Sequence, residues 1–320
     1  MSPPEDLIAL TPAPALAGLA VLERGWLSSN NILIHPAPGE PGAVLVDTGH
    51  VAHREQTLAL VRHALAARPL ARIVNTHLHS DHCGGNAVLQ QSFGAPITIP
   101  PGLADAVRDW DLARLQHDDF GLRERFFIEG TLAPGEAFIA GGRCWQALAA
   151  PGHDPHSLVL FDAEAGLLLS ADALWENGFG IVFPELVGES GFDEVAATVD
   201  LIASLPVRCV VPGHGAPFSE VAAALARARS RLAAYRADPT RHARHAAKVV
   251  LKYHVMEERR LPLATLLVWA EAAPLLQKMW RQFGPALHGG LTAREWLARL
   301  VHDLAAAGAL ALADGWVEDH

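Results

Sequence analysis

Short apolar runs alternate with amphipathic segments over the first two thirds of the chain. Residues 43–46 are an unbroken apolar run of strand length and residues 167–170 an apolar run that ends in Ser, a pattern typical of strands that are buried on both faces. Residues 53–67 and 193–204 instead place apolar side chains at helical spacing. Strands that alternate with helices in this way predict an α/β fold.

Other segments extend the same pattern. Residues 19–35 contain two apolar runs around Gly25 and predict a hairpin. Residues 102–128 predict two helices whose bulky apolar side chains, mostly aromatic, either pack in the core, as expected for most of them, or wall or cover a site. Further strands are predicted at 71–75, 95–99, 143–149 and 157–161.

The character of the chain changes after Pro217. Residues 218–237 and 240–258 predict helices rich in Ala and Arg, and helical periodicity continues through 262–287. A capping box opens a further helix at 293–307, and the Asp-Gly pair at 314–315 predicts a closing hairpin. We therefore expect two domains, residues 1–217 and a mainly helical, winged-helix-like unit at 218–320.

Three imidazoles and a carboxylate fall within six residues, directly after the apolar run 71–75. The stretch that begins at Thr76 reads THLHSDHCGG. His77 and His79 point the same way on an extended chain, whereas Asp81 and His82 lie where the backbone turns toward the next helix. Imidazole nitrogen and carboxylate oxygen suit zinc, so this loop predicts ligands for two neighbouring ions.

This stretch resembles the signature of the metallo-β-lactamase superfamily, His-x-His-x-Asp-His. The family order then requires a His, an Asp and a last His, and the chain supplies His153 and His214 in Pro-Gly-His stretches and Asp172 at a strand end. Asp47 matches the early strand-end Asp of the family. The resemblance covers residues 20–217 and implies a four-layer αββα sandwich.

The resemblance also implies roles for these residues. The implied ligands are His77, His79 and His153 for one ion, Asp81, His82 and His214 for the other, and Asp172 as the bridge between them. Asp47 is expected to orient a ligand histidine through its other nitrogen. A pair of cations about 3.5–4 Å apart lowers the pKa of a bound water, and we expect the hydroxide that remains after loss of its proton to attack an acyl carbon while Asp81 moves protons.

Two zinc ions per chain are the expected cofactor, with iron and manganese left open. Diiron flavoproteins of the superfamily have a Glu where this chain has His79, and no flavin-binding domain follows. A mononuclear-iron, persulfide-oxidising relative has a similar His-rich motif. The chain also departs from the usual Pro-Gly-His-Thr-Pro-Gly-Ser, because Asp154 and His156 replace Thr and Gly, and their role stays open.

Charge is unevenly distributed along the chain. The net charge is −10, with −15 in residues 1–220 and +7 in residues 221–260. An acidic first domain argues against a nucleic-acid partner. The basic helices present either a solvated face or a surface for the anionic tail of a substrate, such as a coenzyme A or glutathione thioester. A small-molecule substrate is therefore the expected partner.

The three cysteines do not form a disulfide framework. Cys144 and Cys209 lie in apolar runs and are predicted to be small core residues, while Cys83 borders a ligand set that is complete without it. The N-terminal residues are acidic rather than basic, and no apolar run reaches the roughly 18 residues of a membrane span. We expect a cytoplasmic protein with no membrane partner.

Several functions fit this pattern. The first is a dizinc hydrolase of thioesters, lactones or related esters, with Trp175 and Phe179 at the substrate rim because they follow Asp172. The second is a phosphodiesterase or nuclease, and the third is a non-catalytic binding protein, which the intact ligand set disfavours. A quorum-lactone hydrolase usually carries a Tyr after the bridging Asp, whereas the first Tyr here is Tyr235. The C-terminal domain either closes over the site or forms a homodimer interface.

Overall fold

A computed structural model describes residues 14–115 and 124–320. The first sheet has the order β1-β2-β3-β4-β5-β6. Its strands are β1 (Leu19–Leu22), β2 (Asn31–Ile34), β3 (Ala43–Val46), β4 (Leu70–Val74), β5 (Ile97–Ile99) and β6 (Gly130–Thr131). The first two pairings are antiparallel and the remaining three are parallel. The predicted hairpin at 19–35 is confirmed as β1 and β2.

The second sheet is mainly antiparallel and has the order β11-β10-β9-β8-β7. Its strands are β7 (Ala137–Ala140), β8 (Arg143–Ala149), β9 (Leu158–Asp162), β10 (Leu167–Ala171) and β11 (Cys209–Pro212). The pair β10 and β11 is parallel, and the other three pairs are antiparallel. The two sheets pack face to face through an apolar layer, in which Val46 and Val74 of the first sheet meet Trp145 and Leu169 of the second.

Helices cover the outer face of each sheet. Those of the first part of the chain are α1 (Arg54–Leu65), α2 (Ser80–Cys83), α3 (Asn86–Phe93), α4 (Ala104–Asp109), α5 (Leu112–Leu115), α6 (Phe183–Leu186) and α7 (Phe192–Ser204). Val61 and Leu89 join the core outside the first sheet, and Val199 joins the core outside the second. The layers are therefore helix, sheet, sheet and helix, which confirms the predicted αββα sandwich.

The last part of the chain is mainly helical. It comprises α8 (Val221–Ala237), α9 (Pro239–Glu258), α10 (Leu263–Ala272), α11 (Pro274–His288) and α12 (Ala293–Ala306), with strands β12 (Arg260–Pro262), β13 (Leu310–Ala313) and β14 (Trp316–Asp319). The buried side chains of α8 belong to the core of the second sheet, whereas α9 to α12 share a separate core. The division at residues 217 and 218 stays a prediction, as does the winged-helix-like character.

Two predictions from local sequence near the C-terminus are confirmed. Thr292 and Glu295 form the predicted capping box of α12. Asp314 and Gly315 both have positive φ, as a two-residue type I′ hairpin loop requires, and they join β13 to β14. Strand β12 was not predicted, because its three residues are extended by pairing with β14 rather than by a local pattern.

Two predictions from the first part of the chain need correction. Cys144 is exposed on β8, because side chains alternate along a strand and its neighbour Trp145 occupies the inward position. Residues 102–128 contain short helices at α4 and α5, while residues 124–129 are not helical and 116–123 lie outside the described residues. Within residues 14–115 and 124–320, every helix is too short or too polar to cross a bilayer.

Candidate metal centre

The predicted ligands lie at the carboxyl ends of strands from both sheets. His77 and His79 follow β4, Asp81 and His82 lie on α2, and the remaining three follow β8, β10 and β11 as His153, Asp172 and His214. The side chains form two groups, and within each group one potential ligand atom per residue lies within 4.8 Å of the others. One group is His77, His79 and His153, and the other is Asp81, His82, Asp172 and His214.

Two glycines allow the loop after β4 to pack tightly. A Cβ on Gly84 would lie 2.3 Å from the backbone nitrogen of Val51, and one on Gly85 would lie 2.4 Å from the carbonyl oxygen of Thr48. Real Cβ atoms do not approach backbone so closely, so a side chain here would displace α2. The Gly-Gly pair therefore brings the histidine-rich loop against the end of β3, where Asp47 lies.

Ring nitrogens converge in the first group. His79 Nδ1 lies 3.1 Å from His77 Nε2 and 2.7 Å from His153 Nε2. The outer nitrogens of the other two rings are engaged: His77 Nδ1 is 3.1 Å from Thr76 Oγ1, and His153 Nδ1 is 2.6 Å from the carbonyl oxygen of Ile181. Because Ile181 only accepts and Thr76 donates its own proton to Asp47, both outer nitrogens are donors.

The Nε2 atoms of His77 and His153 therefore carry no proton, and the lone pairs of both face Nδ1 of His79. A single proton on that nitrogen would satisfy only one of them. A cation between the three nitrogens satisfies all three at once, so the donor set fits a metal ion.

The second group contains a buried nitrogen that lacks a partner. His82 Nδ1 donates to Asp47 Oδ2 at 2.7 Å, while His82 Nε2 makes no hydrogen bond to any residue that the structure describes. That nitrogen lies 3.4 Å from Asp172 Oδ1 and 3.8 Å from Asp81 Oδ2. His214 Nε2 lies 3.1 Å from Asp81 Oδ2. A cation fits this group as well, since two carboxylates and two imidazoles meet here.

Asp172 connects the two groups. Its Oδ1 faces His82, whereas its Oδ2 lies 3.2 Å from His153 Nε2 in the first group. Asp47 acts from behind: its carboxylate accepts from His82 Nδ1, from the Thr76 hydroxyl and from the Thr76 amide at 2.9 Å. Asp154 lies on the outer side of His79, with its Oδ2 3.8 Å from His79 Nε2.

Burial and charge set the protonation of the centre. Burial lowers the pKa of His77 well below its ordinary value, and the nearby imidazolium of His82 acts in the same direction. Burial would also lower the pKa of His82, but the nearby carboxylates, Asp172 foremost, outweigh it and hold that pKa well above the ordinary value. Burial would raise the pKa of Asp172, yet His82 and His214 hold it well below its usual range.

Metal binding to the second group should release a proton. With its raised pKa, His82 is protonated on Nε2 at neutral pH in the metal-free protein, and a cation must displace that proton. We expect about one proton released, and an apparent affinity that falls about tenfold per pH unit below the pKa of His82. Calorimetric zinc titration at pH 7 in two buffers of different ionisation enthalpy measures the number of protons released. Equal heats in both buffers would contradict the prediction.

A cavity of about 770 Å³ opens over both groups. Its walls come from the loop between β1 and β2, from the loop after β10, and from α8, α9 and the C-terminal end of the chain. Trp175 lies on this wall as expected, and its indole N–H donates to Asp172 Oδ1 at 3.2 Å. Phe179 does not line this cavity: it is buried beneath the loop and packs against Tyr235.

Sequence reasoning missed two aromatic residues of the site. Trp26 is 59% exposed, and its ring stacks on His214 with centroids 5.4 Å apart. Tyr253 reaches the cavity from α9, and its hydroxyl lies 3.0 Å from Ser80 Oγ. A tyrosine therefore lines the cavity although none lies between Asp172 and Tyr235 in the sequence.

The chain is similar to known proteins in both sequence and structure. The profile of the Metallo-beta-lactamase superfamily matches residues 24–214. Mouse (Mus musculus) metallo-beta-lactamase domain-containing protein 1 is 28% identical over 223 residues, which cover 63% of this chain and 74% of that protein. The hydroxyacylglutathione hydrolase of Methylococcus capsulatus is 25% identical over 195 residues, covering 60% of this chain and 64% of that protein.

Two solved structures are similar over nearly the whole chain. A beta-lactamase domain protein from Burkholderia ambifaria has a TM-score of 0.58 at 21% identity, with 99% of this chain and 95% of that chain covered. A metallo-beta-lactamase family protein from Thermus thermophilus has a TM-score of 0.52 at 20% identity, with 95% and 99% covered. At these identities the likeness extends the shared fold through the C-terminal region.

Proposed function

Because this chain belongs to the metallo-β-lactamase superfamily and is a metal-dependent hydrolase, we propose that it uses two zinc ions to hydrolyse a small acyl substrate, a thioester, lactone or related ester. The observation that carries the proposal is the pair of ligand groups connected by Asp172 at the base of the 770 Å³ cavity. Imidazole and carboxylate ligands suit zinc, and they leave iron or manganese as alternatives.

The residues of the centre have different roles: they hold the ions, orient a ligand or transfer a proton. His77, His79 and His153 would hold one ion, while Asp81, His82 and His214 would hold the other, with Asp172 between them. Bound divalent cations lower the pKa of water and polarise a carbonyl, which supplies a nucleophile at neutral pH. The Asp81 carboxylate lies at the edge of the cavity beside His214, a position from which it can move a proton to the leaving group.

The cavity wall supports a substrate with an anionic tail. Arg231 of α8 and two lysines of α9, Lys248 and Lys252, line the cavity. Lys248 pairs with Asp303 and Lys252 with Asp319, whereas Arg231 has no carboxylate partner among the described residues. An unpaired guanidinium at the edge of a largely apolar cavity is suited to a carboxylate or phosphate of the substrate. Relatives named hydroxyacylglutathione hydrolase agree with a thioester of this kind.

The test combines metal analysis with a substrate panel. Untagged protein is analysed by mass spectrometry for zinc, iron and manganese, and is then assayed on glutathione and coenzyme A thioesters, acyl lactones and a phosphodiester. Two zinc ions with thioester or lactone turnover is the expected result. Two zinc ions with phosphodiester cleavage alone would instead favour the nuclease alternative. A single iron with oxygen uptake on a persulfide would reject the hydrolase proposal.

Arg231→Gln is expected to weaken binding of anionic acyl substrates selectively. Loss of one charge-assisted hydrogen bond, worth about 1.5–3 kcal/mol, should raise KM by at least about tenfold while kcat changes little. A neutral ester of the same acyl group should be unaffected. Steady-state kinetics on the matched pair measures the effect.

The control for this prediction lies on the same helix. Arg229 pairs with Asp200 on the exposed side of α8 and does not line the cavity. Arg229→Gln should therefore leave both KM values unchanged. An equal rise in KM for the neutral ester in Arg231→Gln would show that the guanidinium acts on the shape of the cavity rather than on substrate charge.

A further inference from the structure

Residues 180–183 form a segment that touches the first ligand group on one side and the C-terminal helix α9 on the other. The Gly180 amide donates to the carbonyl oxygen of Asp172 at 2.9 Å. The Ile181 carbonyl accepts from His153 Nδ1 at 2.6 Å, and the ring of Phe183 packs on His79 and His153 with centroids 5.2 and 5.5 Å away. This segment therefore sets the orientation of a metal-ligand ring.

The segment packs directly against that ring. A Cβ on Gly180 would lie 2.5 Å from His153 Nδ1, so only glycine lets the backbone pass this close to the imidazole. Val182, two residues on, is fully buried. A shift of this backbone would move the Ile181 carbonyl and, with it, the hydrogen bond that fixes the tautomer of His153.

The other side of the segment is held by one side chain. The Val182 amide donates to His242 Nε2 at 3.1 Å. His242 lies in the first turns of α9, is 1% exposed, and packs among the rings of Phe192 and Tyr235. Burial, with a smaller contribution from His245, lowers the pKa of His242 to about 3, so the imidazole stays neutral and can accept.

We propose that His242 is a positioning residue of the metal centre. It acts through the backbone: His242 holds the Val182 amide, the adjoining Ile181 carbonyl is thereby fixed, and that carbonyl orients His153 toward its ion. The helix that lines the substrate cavity thus also determines the geometry of the first ligand group. This inference rests on the proposed use of metal ions, and it adds a residue that contacts neither metal nor substrate.

Two substitutions at His242 separate the hydrogen bond from packing. His242→Leu removes the acceptor while keeping apolar volume, and leaves the Val182 amide unsatisfied in a buried place. His242→Gln retains an acceptor at a similar distance along the side chain. Val250→Ala is the stability control, because Val250 is buried on the same helix within the C-terminal core and its apolar side chain offers no acceptor to the segment.

The readouts are zinc retention against a chelator, the visible spectrum of the cobalt-substituted protein, and amide hydrogen exchange at residues 180–183, all in the full-length chain. In His242→Leu, we expect one of two ions to bind about tenfold more weakly, with an altered cobalt spectrum and faster exchange at Val182. His242→Gln should restore most of the affinity and the wild-type spectrum.

Three outcomes would overturn the inference. They are wild-type affinity and spectrum in His242→Leu, the same loss of affinity in Val250→Ala at equal global stability, and a wild-type protein that binds no divalent ion. A wild-type protein that binds two ions but hydrolyses no acyl substrate would reject the proposed function alone, since affinity and spectrum would still decide the role of His242.

Discussion

Asp172→Ala is expected to reduce acyl hydrolysis to background. Asp172 is the residue whose two carboxylate oxygens face both ligand groups, so its loss should weaken both ions and separate their positions. Metal polarisation is worth several kcal/mol, and a loss of about 4 kcal/mol corresponds to roughly a 10³-fold fall in kcat/KM. Zinc per chain and kcat/KM at saturating zinc measure the effect.

Asp172→Asn and Asp81→Ala sharpen this prediction. Asp172→Asn keeps the shape but removes the charge, and should behave almost as Asp172→Ala if the carboxylate binds metal. Asp81→Ala removes a ligand from one group only, so the first group should still bind its ion. Full activity in Asp81→Ala at saturating zinc would exclude proton transfer by Asp81. An Asp172→Ala protein with two zinc ions and undiminished activity would contradict the connecting role of Asp172.

Asp47→Ala is expected to destabilise the protein and weaken metal binding together. The buried carboxylate accepts three hydrogen bonds, from the Thr76 amide, the Thr76 hydroxyl and His82 Nδ1. Asp47 also has a φ of 57°, a conformation that Asp tolerates better than Ala. Loss of these partners should lower the free energy of unfolding by about 3 kcal/mol and the zinc affinity by about 10–100-fold.

The two effects of Asp47→Ala can be separated experimentally. Denaturant unfolding of chelator-treated protein measures stability without metal, and competition with a chelator measures affinity. Asp47→Asn serves as the control, because it tolerates the same φ and still offers one acceptor to Thr76 while losing the charge that faces His82. If metal-free Asp47→Ala unfolds at the wild-type denaturant concentration, the three hydrogen bonds do not contribute to folding as proposed.

Residue type and spacing alone predicted only the part of the site that lies in one short stretch. The His-x-His-x-Asp-His stretch indicates a metal-binding loop by itself, because its imidazoles and carboxylate fall within six residues. The remaining predicted ligands, His153, Asp172 and His214, followed only from the order of motifs in the superfamily that the chain resembles. Asp47 was likewise predicted from its match to the strand-end Asp of that family.

The walls of the cavity could not be predicted in this way. Trp26, Arg231 and Tyr253 come from three distant segments, and only the packing of α8 and α9 against the sandwich brings them together. Phe179 and Trp175 lie four residues apart in one loop, yet one is buried and the other lines the cavity, because a turn reverses their direction. The proposed role of His242 depends on a hydrogen bond to a backbone amide, and such a bond cannot be predicted from residue type.

The cavity combines ligands and walls from different ends of the polypeptide, and this has a consequence for biosynthesis. The last predicted ligand, His214, precedes α9 in the chain, so the whole set of predicted ligands is synthesised before the helix that encloses it. We therefore expect that an ion can reach the imidazoles and carboxylates of the sandwich before the cavity is complete, whereas selection among substrates requires the docked final helices.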